Sequence, residues 1–314
     1  MGGTAWLWAS DKLVGSVSVL VIDEAGQFSL ANAVAVSAAA QSLVLLGDPQ
    51  QLDQPTQGTH PPGAGRSALA HLLGEHATMP GHLGLFMDRT WRLHPDICAF
   101  TSEVFYEGKL EPQDGNEKQG LSGVPPLDGT GVRFLAVDHV ADRDDTDSPA
   151  EAEVVAEIVG RLLSSGATWM DHEGKSRAVR PEDILIVSPF NLHRRRIRAA
   201  LEARGEAVGR VPVGTVDKFQ GQQAPISIYS MATSRPEDAP RGLEFLFSLN
   251  RLNVATSRAR CLTLVVASPA LVLVDAKTPR QMELANALCR FVEVAEGDHR
   301  LPPPAGIVEL RRHP

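Results

Sequence analysis

Two adjacent carboxylates, Asp23-Glu24, follow an almost wholly apolar run, Val17 to Ile22 (VSVLVI). A buried strand that stops on paired acids can divide labour between them. One holds Mg²⁺ while the other orients or deprotonates an attacking water. The bland alternative is a helix N-cap with a favourable dipole interaction. A second apolar run, Ser42 to Leu46 (SLVLL), ends on another polar turn, Gly47-Asp48-Pro49-Gln50-Gln51. Two such strand ends side by side converge on one crevice at the carboxyl edge of a sheet, where open α/β folds place their chemistry. There the Gln51 amide can sense a terminal phosphate, although Asp48-Pro49 is equally well an ordinary turn. Further along, Arg92, Gln220-Gly221 and Arg258 complete an ordered series of groups suited to phosphate chemistry.

These residues need elements to position them. Thr4 to Trp8 reads as a short β-prone piece, Val17 to Ile22 as a strand buried on both faces, Ala31 to Ala40 as a small-residue helix and Ser42 to Leu46 as a second buried strand. Strand, helix, strand is a parallel α/β unit. A loop from Asp53 to Arg66, rich in proline and glycine, precedes a helix at about Ser67 to Leu73. A helix over Pro95 to Phe105 then opens a longer region. Its expected strands are Val132 to Val137, Asp183 to Val187, Val211 to Val216, Ser227 to Met231 and Leu262 to Val266. Helices at about Pro149 to Leu163, Leu192 to Ala203 and Leu249 to Ala259 alternate with them. The last helix would carry Arg251 and Arg258, seven residues apart, on one face. Gln113 to Pro126 and Asp138 to Asp147 read as exposed loops. The domain plan is 1–86, 87–292 and a tail, 293–314.

Composition sets looser bounds. The 314 residues are 43% hydrophobic and 22% charged, a soluble globular balance, and no apolar run reaches the roughly 18 residues a membrane span needs. The N-terminus lacks the basic start of a signal peptide, so a cytoplasmic location is expected. Cys98, Cys261 and Cys289 lie far apart, which argues for buried thiols rather than a metal or disulfide framework. A net charge of −8 does not advertise nucleic-acid binding, so any basic track must be local. Asn191 to Arg198 (NLHRRRIR) is the most basic run, either a phosphate-binding track or a solvated helix face.

VLVIDEAGQ (19 to 27), LLGDPQQL (45 to 52), TWRLHPDICAFTSEVFYEGKL (90 to 110), VGTVDKFQGQQ (213 to 223) and RLNVATSRAR (251 to 260) resemble motifs II to VI of superfamily 1 helicases, in order. The likeness runs from Val17 to about Arg290. It is strongest to the up-frameshift and Okazaki-fragment helicase-nuclease group, including bacterial fusions to a RecB-like nuclease. The resemblance implies an α/β, RecA-like P-loop NTPase fold, with a partial first domain and a nearly complete second. It implies an ATP-dependent translocase on single-stranded nucleic acid, 5′-to-3′, with DNA favoured over RNA by analogy alone. By the same likeness Asp23 binds Mg²⁺, Glu24 is the catalytic carboxylate, Gln51 meets the γ-phosphate, and Arg92 and Arg258 are arginine fingers. For an isolated Arg92 the plain alternative is a structural salt bridge. Gln220, Gly221 and Gln223 would touch the nucleotide, and Thr215, Val216 and Lys218 the nucleic-acid backbone. Gln223 stands where the family has glutamate.

The motif that should come first is not among these residues. Gly174-Lys175-Ser176 ends like G-x-x-x-x-G-K-[ST], but Trp169 occupies the leading glycine position and a polar loop precedes it; the other five lysines lack glycine context. Gly63-Ala64-Gly65 is likewise a turn rather than a dinucleotide fingerprint. Without that loop's amides and lysine to cradle ATP, the chain alone is expected to be inactive. A missing N-terminal half or a partner would supply the loop. A non-catalytic nucleic-acid-binding or interaction module, or a truncated gene product, are the alternatives. Residues 1–86 are expected to expose apolar strand edges.

Overall fold

The computed structural model describes residues 1–52, 65–139, 146–219, 221–239 and 241–298. The chain divides into two units, Met1–Met87 and Asp88–Pro314.

In the first unit, β1 (Val17–Ile22) and β2 (Ala40–Leu45) pair in parallel, Ile22 opposite Leu45, and are joined through α1 (Leu30–Ser37). Helix α2 (Ala68–Leu73) follows, and Ser29 and Ser67 cap the two helices by accepting from Asn32 N and Ala70 N. Leu20, Ile22, Val36, Leu69, Leu73 and Trp8 form its core. Two expectations fail here. Ala5–Trp8 is a helical turn, not a strand, and that turn delivers Trp8 into the core. The VSVLVI run is covered on one face only: Val19 and Val21 are 52% and 54% exposed, as in similar degree are Val44 of β2 and Leu46 just past it. Among the described residues the helices pack on the Leu20 and Ile22 side alone.

The second unit contains α3 (Pro95–Phe105), β3 (Gly131–Ala136), α4 (Pro149–Ser164), β4 (Ile184–Val187), α5 (Asn191–Ala203), β5 (Val213–Gly214), β6 (Ala224–Ser230), α6 (Leu249–Thr256), β7 (Ala259–Ala267) and α7 (Pro279–Asp298). Its five-stranded sheet has the order β5-β4-β6-β7-β3, every neighbouring pair parallel. Strand and helix alternate except between β5 and β6, the α/β, RecA-like arrangement expected. Ile184, Ile186, Ile226, Ile228, Leu262 and Leu264 are completely buried, each contributing on the order of 1.5–3 kcal/mol.

Three details differ from expectation. The helix expected to reach Ala259 ends at Thr256 because Ala259 pairs with Ala224 and begins β7; Arg258 lies between the two elements and does not share a helix face with Arg251. The expected strand at Val211 to Val216 shortens to β5. The Gln113 to Pro126 segment is not simply exposed, since Asn116, Gln119, Leu121 and Val124 are buried. Leu121 lies in a small antiparallel sheet of Gly120–Ser122, Thr168–Met170 and Ser176–Ala178. Gly174 and Lys175 form the hairpin turn between its last two strands, with Gly174 at φ 82°. That context is the opposite of a strand-to-helix phosphate loop. Among the described residues no helix is long and apolar enough to cross a membrane.

Candidate functional site

The first unit brings its two polar turns into backbone contact. Leu46 N donates to Ile22 O at 2.8 Å and Ala25 N to Leu46 O at 2.7 Å, continuing the β1–β2 pairing past both strand ends. A Cβ on Gly47 would stand 2.7 Å from Ala25 N, and one on Gly26 would stand 2.6 Å from Asp48 O. Only glycine permits that approach. Asp23-Glu24 and Gly47 to Gln51 therefore share one rim.

Glu24 sits at φ 53°, in the left-handed region, which costs a non-glycine residue on the order of 1–3 kcal/mol and persists where surrounding bonds over-determine it. Those bonds are Glu24 N to Asp23 Oδ1 at 2.9 Å and Gln27 N to Glu24 O at 2.8 Å. Both carboxylates are exposed. Asp48 organises the second turn, accepting from Gln50 N through Oδ1 at 2.9 Å and from Gln51 Nε2 through Oδ2 at 3.0 Å. Gln51 is thus aimed by Asp48. Among the described residues no cluster of three or more metal-binding side chains occurs. Exposed Asp23 still fits Mg²⁺, which commonly takes one or two carboxylates and completes its shell with water and phosphate oxygens. The buried Gln27 Nε2, close by in the chain, has no partner among the described residues, a donor suited to an oxyanion.

The second unit gathers the arginines. His94 N donates to Arg260 O at 2.8 Å, holding the Arg92 segment beside the start of β7. Arg92 Nε donates to Gln223 Oε1 at 3.0 Å and Nη1 to Ser257 O at 2.9 Å. Arg258 is 2% exposed and donates from Nη1 to Gln222 O at 3.4 Å. Burial and then Arg260 lower the pKa of the Arg92 guanidinium, against the opposing pull of Tyr106. Arg92 is no surface salt bridge: among the described residues its bonded partners are neutral.

The buried polar residues between 113 and 126 explain how Arg92 is held. The Asn116 amide donates to Thr90 O and Leu93 O at 3.0 and 3.1 Å, and Gln119 Nε2 to Arg92 O at 3.0 Å. A polar stretch that reads as loop is the clamp on the arginine's backbone. Trp91 beside it is 77% exposed, an open indole on which a base can stack. Asn116 and Gln119 left no motif signal; Ser257 lies within the 251 to 260 motif, and Trp91 is the aromatic next to Arg92.

The remaining candidates separate by exposure. Lys218, Gly221 and Gln223 are exposed and Thr215 is half-buried, while Val216 is completely buried. The Val216 side chain is closed off from solvent, so only its backbone is left for contact. Gln220 lies outside the described residues. In α5, Arg196 pairs with Asp147, and Arg198 donates to Gly209 O, while His193, Ile197 and Leu201 are buried, so much of the basic run has structural partners. Burial pushes the Cys98 thiol up to about 11 and that of Cys261 up to about 12, consistent with inert core thiols.

A polar network stands behind the sheet. Glu151, wholly buried, accepts from Ser230 Oγ at 2.7 Å and Ala232 N at 2.9 Å, and lies 2.9 Å from His139 Nε2. His193 Nε2 is 2.7 Å from Ser230 Oγ. It secures the chain leaving β6, where Ala232 adopts φ 68°.

The description "AAA domain" matches residues 65–270. Putative helicase MOV-10 of Gallus gallus is 30% identical over 266 residues, covering 74% of this chain and 26% of that protein. The regulator of nonsense transcripts 1 homolog of Drosophila melanogaster is 26% identical over 295 residues, covering 87% and 22%. Among solved structures, the PRRSV helicase aligns with a TM-score of 0.37 at 15% identity, over 79% of this chain and 34% of that one. The chain thus spans about a quarter of the length of these curated relatives. The family match places it: the chain belongs to the AAA domain family, and its motif series and helicase relatives support a superfamily 1 helicase domain.

Proposed function

We propose that this chain works within an ATP-dependent helicase or translocase that moves along single-stranded nucleic acid, 5′-to-3′. The observation that carries the reading is the contact between the Asp23-Glu24 and Gly47 to Gln51 turns at the ends of two parallel strands. In this reading Asp23 holds Mg²⁺, Glu24 orients or deprotonates the attacking water, and Gln51, aimed by Asp48, meets the γ-phosphate. Arg92 and Arg258 compensate charge on the transferring phosphoryl group. Gln220, Gly221 and Gln223 contact the nucleotide; Thr215, Val216 through its backbone, and Lys218 contact phosphates of the strand. Bound ATP supplies the phosphoanhydride that is cleaved, and Mg²⁺ neutralises its charge. DNA is the proposed strand by family analogy and the cytoplasm the proposed location.

No G-x-x-x-x-G-K-[ST] occurs in the 314 residues, so the phosphate cradle must come from elsewhere and the chain alone is proposed to bind but not to hydrolyse. A binding or interaction module is the second reading, favoured by the same observation. Single-stranded oligonucleotide binding and stimulated ATP hydrolysis, measured on the purified chain, separate these. Salt-dependent binding without hydrolysis is the expected result. Hydrolysis that Glu24→Gln abolishes would remove the proposed inactivity and keep the helicase. Absence of oligonucleotide binding would sink both.

A further inference from the structure

Both arginines named by the motifs are anchored on one dipeptide. Arg92 reaches the side chain of Gln223, and Arg258 reaches the carbonyl of Gln222. Strand register explains the meeting. Ala224 opens β6 and pairs with Ala259, which opens β7, so the residues just before them, Gln223 and Arg258, are neighbours. The bond from His94 N to Arg260 O brings Arg92 to the same edge.

The chemistry of the anchor matters more than its presence. The Gln223 amide oxygen and the Ser257 carbonyl fix Nε and Nη1 of Arg92 at 3.0 and 2.9 Å but bring no charge. A carboxylate at 223 would form a charge-assisted pair and compensate the guanidinium. Nη2 takes part in neither bond. Arg260 acts on Arg92 as a like charge, so the cationic character of this edge is reinforced rather than relieved.

We propose that Gln223 is a positioning residue: its neutral amide holds Arg92 in place while leaving the charge of Arg92 available to a phosphate-class anion. The helicase reading supplies only the expected source of that anion, the nucleotide; the positioning itself stands on bonds within one unit. It goes beyond nucleotide contact by Gln223, because it assigns the amide a role toward Arg92 itself.

The test is NMR of the full chain labelled with ¹⁵N-arginine, the Arg92 Nε–Hε signal being assigned with Arg92→Lys. In Gln223→Met the exchange protection of that proton should fall by about tenfold or more while the thermal midpoint stays unchanged. In Gln223→Glu the proton should remain protected, but inorganic pyrophosphate should shift the signal with about tenfold weaker affinity than in the parent. Single-stranded oligonucleotide forms a separate titration: a shift with pyrophosphate alone assigns the nucleotide as source, and one with oligonucleotide alone assigns the strand backbone. Unchanged protection in Gln223→Met overturns the positioning role. Equal anion affinity in Gln223→Glu, or a parent signal that neither anion moves, overturns the charge role. None of these readouts needs hydrolysis, so an inactive chain leaves the result interpretable.

Discussion

The main parallel sheet of each unit is built from similar sequence, and the two end in different states. In the second unit β4 and β6 are buried at every residue, with helices following most of the strands. In the first, β1 and β2 also carry apolar runs, yet Val19, Val21 and Val44 face outward. Apolar sequence records the capacity for burial, and the number of packed neighbours decides whether it is used. The chemistry follows the same division. The carboxylates and Gln51 sit on the two-stranded unit, whereas both arginines sit on the five-stranded one, where a clamp of buried amides can hold them.

Limited proteolysis is the broadest way to break this contrast. Cleavage should begin within Met1–Met87 and leave a fragment starting near Asp88; equal survival of both units would remove it. Among single substitutions the largest cost should fall on the network of the second unit. Glu151→Ala strands Ala232 N, removes the acceptor of Ser230 Oγ and the partner of His139, and should lower unfolding free energy by about 3–5 kcal/mol in urea titration. Gly47→Ala should cost about 1–3 kcal/mol by driving a methyl into Ala25 N, read as earlier proteolysis of the first unit with the second unaffected.

A smaller effect sharpens the electrostatic side. Burial pushes the Asp147 carboxyl up, but hydrogen bonds from His193 and Arg196 outweigh it and hold the group down at about 2, below its ordinary 3.8. A depressed carboxylate stabilises above the unfolded value and loses that contribution as pH falls through the folded one. Asp147→Asn should therefore cost about 1 kcal/mol at neutral pH after solvent screening, and the difference from the parent should vanish between about pH 4 and 2. The smallest change belongs to the bare face: Val21→Ser should alter stability by less than about 0.5 kcal/mol, where the equivalent change at wholly buried Ile228 would be severe.

Legibility from sequence followed the locality of the physics. Motif turns and apolar strands could be read because strand ends, caps and glycine turns depend on residues a few positions apart; the Ser29 and Ser67 caps and the Pro95 helix are of this kind. The end of α6 could not, because pairing with Ala224, far away in the chain, converts Ala259 to strand. Nor could the clamp of Asn116 and Gln119, since a polar stretch carries no mark of the distant carbonyls it will meet.

The order and identity of the motif residues, and with them the chemistry available, were determined by sequence alone: adjacent acids, an Asp-Pro-Gln-Gln turn and two arginines are side-chain facts. Tertiary structure decided how those groups are held. It pressed Gly47 against Ala25, aimed Gln51 through Asp48, and drew Arg92 to Gln223 and Ser257. The reason is that hydrogen-bond direction and charge compensation depend on which groups meet across the fold, and long-range pairing chooses those meetings.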